Sequence, residues 1–269
     1  MQLFDKYGRR IPPQDLKSAV SNSVIEHPEY RNHFLFRSSV KSGWSQYKPY
    51  YQERLAHLLE VGFSVDILPD VVEDRVNSLL STIKLDKKIK NLLKGVYLWF
   101  VIPQMDIADL GEATKKFIKV AAASYCRRDP SYRQSEIEPS NLAGQVEITL
   151  NSRYGQLIEK VSNGPVVGIY FPGSLQGYSE NARQEQMESL PENCILSGPL
   201  EMAISSIMFP DVLEKSFSAN FHCSAIRSKD PRYFSVKFWY FDDIFKFDFY
   251  GGDGNLTDLG SECGLTLLW

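Results

Sequence analysis

The chain has 269 residues, of which 43% are hydrophobic, 23% charged and 13% aromatic, and its formal net charge is −3. This length can bury a substantial core in one large domain or two small ones. The mildly acidic balance gives no support to general nucleic-acid binding, which rests on a basic excess.

Residues 1–47 contain Pro12, Pro13, Pro28 and many Ser and Asn, and read as an N-terminal arm. The opening stretch MQLFDKYGRRIPPQD lacks the apolar segment of a secretory leader, which points to a cytoplasmic protein. Residues 48–269 read as a single α+β domain, possibly mixed α/β. Its helical part is 48–126, its linker 127–144 and its strand-rich part 145–269. Tyr51, Leu55, Leu58 and Leu59 recur at helical spacing, and Gly62 is a stop signal. Asp70 with Glu73 predicts a helix start, with Val72, Val76, Leu79, Leu80 and Ile83 on its buried side. A second piece runs through Ile89, Leu92 and Leu93 to Gly95.

The period then changes. Residues 96–102, VYLWFVI, form a short apolar run closed by Pro103, as expected of a buried strand and far too short to span a bilayer. Asp109 with Glu112 opens the next predicted helix, which reaches about Cys126. Residues 146–150 alternate as a strand, whereas 157–161 fit either element. VVGIYF at 166–171 is a predicted strand, followed by a loop at 172–178 and a helix capped by Ser179. Pro199 and Glu201 mark the first turn of another helix, ending before Pro210. Strands are expected at 217–226, 233–241, 244–250 and 265–268, giving a helical N-terminal layer on a largely antiparallel C-terminal sheet.

The densest chemical signal is FWYFDDIFKFDFY, residues 238–250. A hairpin with Asp242 and Asp243 at its tip would put Phe245, Phe247 and Phe249 on the core face. Ile244, Lys246, Asp248 and Tyr250 would take the other face. The acidic residues from 242 onward, with the surrounding aromatics, suggest a partner-binding sheet surface made of Trp239, Tyr240, Asp242, Asp243, Asp248 and Tyr250. The leading expectation is therefore a non-enzymatic protein-binding protein, an assembly subunit or a neutralising, immunity-type partner, with no cofactor and no membrane. Its partner would be another protein or a second copy of the chain.

Tyr240-Phe241-Asp242-Asp243 also has the form YxDD and resembles the metal-binding hairpin of the reverse transcriptase palm. Residues 190–197 and 263–267 are similar to two further elements of that family, although Asn193 stands where its glycine should be. The resemblance implies an alternative, a divalent-metal-dependent phosphoryl- or nucleotidyl-transfer enzyme with Asp242, Asp243 and Asp106 as the carboxylates. A third expectation is a small-ligand loop at 172–178. If the strands at 96–102 and 166–171 are parallel, Ser174, Gln176 and Tyr178 converge there with the loop of Asp106 and Asp109. Lys84, Lys87, Lys88, Lys90 and Lys94 form a basic face opposed only by Asp86.

Nucleophilic and zinc signatures are missing: there is no GxSxG, no HExxH and no CxxC. Cys126, Cys194, Cys223 and Cys263 read as reduced, small buried side chains.

Overall fold

The computed structural model describes residues 2–6, 8–12, 48–135, 140–210, 220–233, 235–241, 244–251 and 262–269. Among these are six α-helices and eleven strands, with the helices mostly N-terminal to the strands, an α+β fold. Helices α1 (Lys48–Glu60) and α2 (Pro69–Leu85) come first, followed by a 3₁₀ turn at Lys90–Lys94. Strand β1 (Leu98–Ile102) and helix α3 (Leu110–Arg128) complete the N-terminal half. Pro69 occupies the first turn of α2, so the helix starts one residue before the predicted Asp70 cap. Its predicted core residues, Val72, Val76, Leu79, Leu80 and Ile83, are all buried. The Asp109 cap is realised: its side chain accepts the Glu112 amide at 2.8 Å.

The central sheet has the order β1-β4-β11-β5, where β4 is Val166–Phe171, β5 Cys194–Leu196 and β11 Leu265–Leu268. Every pairing in it is antiparallel. β4 is buried along its whole length, flanked by β1 and β11 and packed against α2. Gly168 allows that approach: a Cβ there would stand 2.3 Å from the Phe100 ring. Two helices lead into and out of β4. They are α4 (Gly155–Asn163), which resolves the ambiguous 157–161 stretch as helix, and α5 (Glu180–Gln186), which ends in a 3₁₀ turn at Met187–Ser189.

Helix α6 (Pro199–Met208) is buried on every side, its polar residues Glu201, Ser205 and Ser206 included. It packs against α1, α3 and β1, and Phe209 just beyond it meets Trp99 edge-on at 5.6 Å. A second, five-stranded sheet has the order β10-β6-β8-β9-β2. Its strands are β2 (Arg133–Gln134), β6 (Asn220–His222), β8 (Ser235–Phe241), β9 (Ile244–Tyr250) and β10 (Glu262–Cys263). Strands β3 (Val146–Ile148) and β7 (Ile226–Ser228) form a separate pair.

The structure differs from the expectations at several points. The strands at the ends of 96–102 and 166–171 run antiparallel, so the loops that follow them leave opposite ends of the sheet and do not converge. The region 217–226 is broken by turn residues 224–225 into β6 and β7 rather than forming one strand. The predicted linker contains β2, which pairs with the first residues of β9. Within the predicted arm, residues 2–6 and 8–12 are described, and Phe4, Arg9 and Arg10 are buried. Phe4 is fully buried and bridges Arg10 in a tight antiparallel turn.

Candidate functional site

The β8–β9 hairpin has the predicted register, pairing Phe241 with Ile244 and Ser235 with Tyr250. Alternation buries Val236, Phe238, Phe245, Phe247 and Phe249. Asp242 and Asp243 connect the two strands in sequence and lie outside the described residues, as do the side chains of Tyr240 and Tyr250. On the outward face Trp239 stands opposite Lys246, and Lys237 opposite Asp248. The Lys246 ammonium lies 4.8 Å from the centre of the Trp239 ring and that of Lys237 lies 5.8 Å away. Both are within the range of a cation–π contact. The indole is half-buried and Asp248 is exposed. His222 pairs with Lys237 across β6 and is only 4% exposed, so this side of the sheet is covered at its β6 end and opens toward Asp248. The described part of the face is thus an aromatic centre with cations on both sides, and Asp248 is its acidic member.

The 172–178 loop is not an open recess. Ser174, Gln176 and Tyr178 are all buried. The Ser174 hydroxyl donates to the Phe171 carbonyl at 3.0 Å and accepts the Leu265 amide at 2.9 Å. The N-terminal segment covers the loop: the Arg10 amide donates to the Ser174 carbonyl, and the Tyr178 hydroxyl donates to the Arg10 carbonyl, both at 2.8 Å. The Arg10 guanidinium fixes this cover, donating to the carbonyls of Leu3 and Ile11 and to the Ser189 hydroxyl.

Two buried polar networks were not anticipated from the sequence. In the first, the Glu201 carboxylate accepts the Gly198 amide at 2.6 Å, the Tyr154 hydroxyl at 2.9 Å and the Thr266 hydroxyl at 3.2 Å. Thr266 and Ser197 share a further bond at 2.9 Å. Burial pushes the Glu201 carboxyl up to about 7, against the opposing pull of these donors. In the second, Arg183, 2% exposed, binds the Glu180 carboxylate at 3.0 Å, the Ser224 hydroxyl at 3.1 Å and the Tyr178 carbonyl at 2.8 Å. Burial raises Glu180 to about 7, and the Arg183 charge opposes the rise. Burial, helped by the Glu201 and Glu180 carboxyls, raises the Cys223 thiol well above the ordinary value. These networks tie α4, α5 and α6 to β11 and to the residues after β5 and β6.

Arg153 is a third feature that spacing did not reveal. Held at φ 59°, it donates to the carbonyls of Met187, Leu190, Pro191 and Cys194. It thereby satisfies the turn that leads into β5.

The remaining candidates lie apart. Asp106 is exposed on the loop after β1. Asp109 is committed to capping, and its bonds to the Glu112 and Gly144 amides hold its carboxyl below the usual range. The elements similar to the polymerase palm fall in two sheets: β5 and β11 pair in the central one, whereas the hairpin belongs to the other. No group of three or more metal-ligating side chains occurs among the described residues. Cys126, Cys194, Cys223 and Cys263 are free thiols. No helix among the described residues is long and apolar enough to cross a membrane. A scan against protein-family models, a search of curated proteins and a search of solved structures each find no match.

Proposed function

We propose that this chain is a non-enzymatic protein-binding protein whose contact surface is the outward face of the β8–β9 hairpin. The single observation that carries the reading is the arrangement around Trp239. An indole with remaining exposure sits on a rigid seven-residue strand, with two lysine ammonium groups over its ring and Asp248 two residues along the partner strand. Aromatic anchors fixed by their backbone and bordered by charge are what interface centres use, because little side-chain entropy is lost on contact. Tyr240, Asp242, Asp243 and Tyr250 extend the same segment in sequence and complete the proposed surface.

The partner is another protein or a second copy of the chain. The test is capture by wild-type bait compared with Trp239→Ala and Lys246→Glu baits of equal melting temperature. A partner retained by wild type and lost from both variants supports the reading. Equal capture by all three baits contradicts it.

A further inference from the structure

The lysine segment at the end of α2 carries a second inference, independent of the hairpin. Lys84, Lys87, Lys88, Lys90 and Lys94 are all exposed, and among the described residues none of them has an ion-pair partner or donates a side-chain hydrogen bond. Asp86 is the only carboxylate in the stretch, and its side chain accepts the Lys88 amide at 2.7 Å. The segment is held firmly from behind. Ile83, Ile89 and Leu92 are buried, the Leu3 amide donates to the Lys88 carbonyl at 2.8 Å, and Asn91 donates to the Phe4 carbonyl at 3.0 Å. Gly8 and Gly95 approach so closely that a Cβ on Gly8 would meet the Gly95 nitrogen at 2.6 Å. Five like charges on a fixed backbone, in a chain of net charge −3, make a local positive patch that an anionic surface complements. Among them stands Leu85, 82% exposed.

We infer that this segment docks an acidic protein surface that offers an apolar recess to Leu85. The composition distinguishes among anionic partners. Residues 84–94 contain no arginine and no aromatic side chain. They therefore lack the planar fork that suits phosphate and the stacking platform that suits bases. A phosphate backbone has no place for a leucine. A bilayer would accept one, but a single apolar side chain with a few lysines gives only marginal attachment.

Full-length protein is titrated, at low and at moderate salt, with three probes: a synthetic Glu/Leu peptide, a 20-base-pair DNA duplex and vesicles containing phosphatidylserine. The expected result is binding of the peptide in preference to the other two. Lys87→Glu/Lys88→Glu/Lys90→Glu should weaken it about tenfold or more, and Leu85→Ser about threefold. Trp239→Ala should leave it unchanged, which separates this face from the hairpin. These side chains are exposed, so the variants should melt as wild type does. Preference for DNA or vesicles, or no binding of the peptide at low salt, overturns the inference.

Discussion

Tyr154 donates its phenolic hydrogen to Glu201 across 2.9 Å, and both side chains are sealed from solvent. This bond joins the start of α4 to the first turn of α6. The same phenolic oxygen accepts the Leu200 amide at 3.3 Å. Tyr154→Phe removes the donor and leaves that amide without its partner. The expected cost is about 1–3 kcal/mol in urea unfolding.

The raised carboxyls fix the direction of the pH dependence. Glu201 and Glu180 both sit near 7 in the folded chain against an ordinary 4.5. The folded state therefore binds more protons than the unfolded state between about pH 4.5 and 7. Stability is highest below this window, falls as pH rises through it and stays at the lower level above. Each group contributes about 3 kcal/mol at most. Asp109 and Asp230, the latter hydrogen-bonded by the Arg232 guanidinium, are shifted downward, so their opposite effect falls at lower pH. Unfolding at pH 5 and pH 8 should show wild type less stable at pH 8, and Glu201→Gln should reduce the difference. An unchanged difference in that variant would locate the pH dependence elsewhere.

The Glu180–Arg183 pair gives a companion prediction. Arg183→Met strands a buried carboxyl, and removing one partner of such a pair costs about 3–5 kcal/mol. The loss should be larger at pH 8, where Glu180 is charged, than at pH 5, where it can take up a proton.

Gly168 tests the central sheet. A methyl group there meets the Phe100 ring from one neighbouring strand and lies 2.9 Å from the Leu267 carbonyl on the other. The backbone has no room to yield on either side. Gly168→Ala should lose about 1–3 kcal/mol by overpacking, read as a lower melting temperature.

Periodicity made much of the fold legible. The β9 limits, the alternation of its phenylalanines and the core stripe of α2 follow from spacing alone. So do the caps at Asp109 and Ser179, because short polar side chains there had an amide within reach. Strand direction was not legible: nothing local in residues 96–102 says whether β4 runs with or against β1. Cys194–Leu196 is too short to show a period and becomes a strand only beside Leu265–Leu267. The buried networks were hidden for a related reason. Glu201 read as an ordinary first-turn acid, and only the tertiary fold brings Tyr154 and Thr266 to it from 47 and 65 residues away. For the proposed surface, the sequence indicated the outward residues of β9 but not the closeness of Lys237 and Lys246 to Trp239, which depends on register.

The metal alternative separates cleanly from the binding account. A divalent ion held by Asp242 and Asp243 would stabilise the folded chain by mass action. Melting with and without Mn²⁺ should give the same midpoint for wild type and for Asp242→Ala/Asp243→Ala. A rise in wild type that the double variant lacks would favour the phosphoryl-transfer reading.

The most direct test of the proposed binding surface is site-specific photocrosslinking in cells that carry the protein. A photoreactive residue replaces Asp248, which is exposed beside the Trp239 cluster, and separately Glu159, which is exposed on α4. A discrete protein adduct formed from position 248 and absent from position 159 is the predicted result. No adduct from position 248, or the same adducts from both positions, would contradict a partner-binding role for this face.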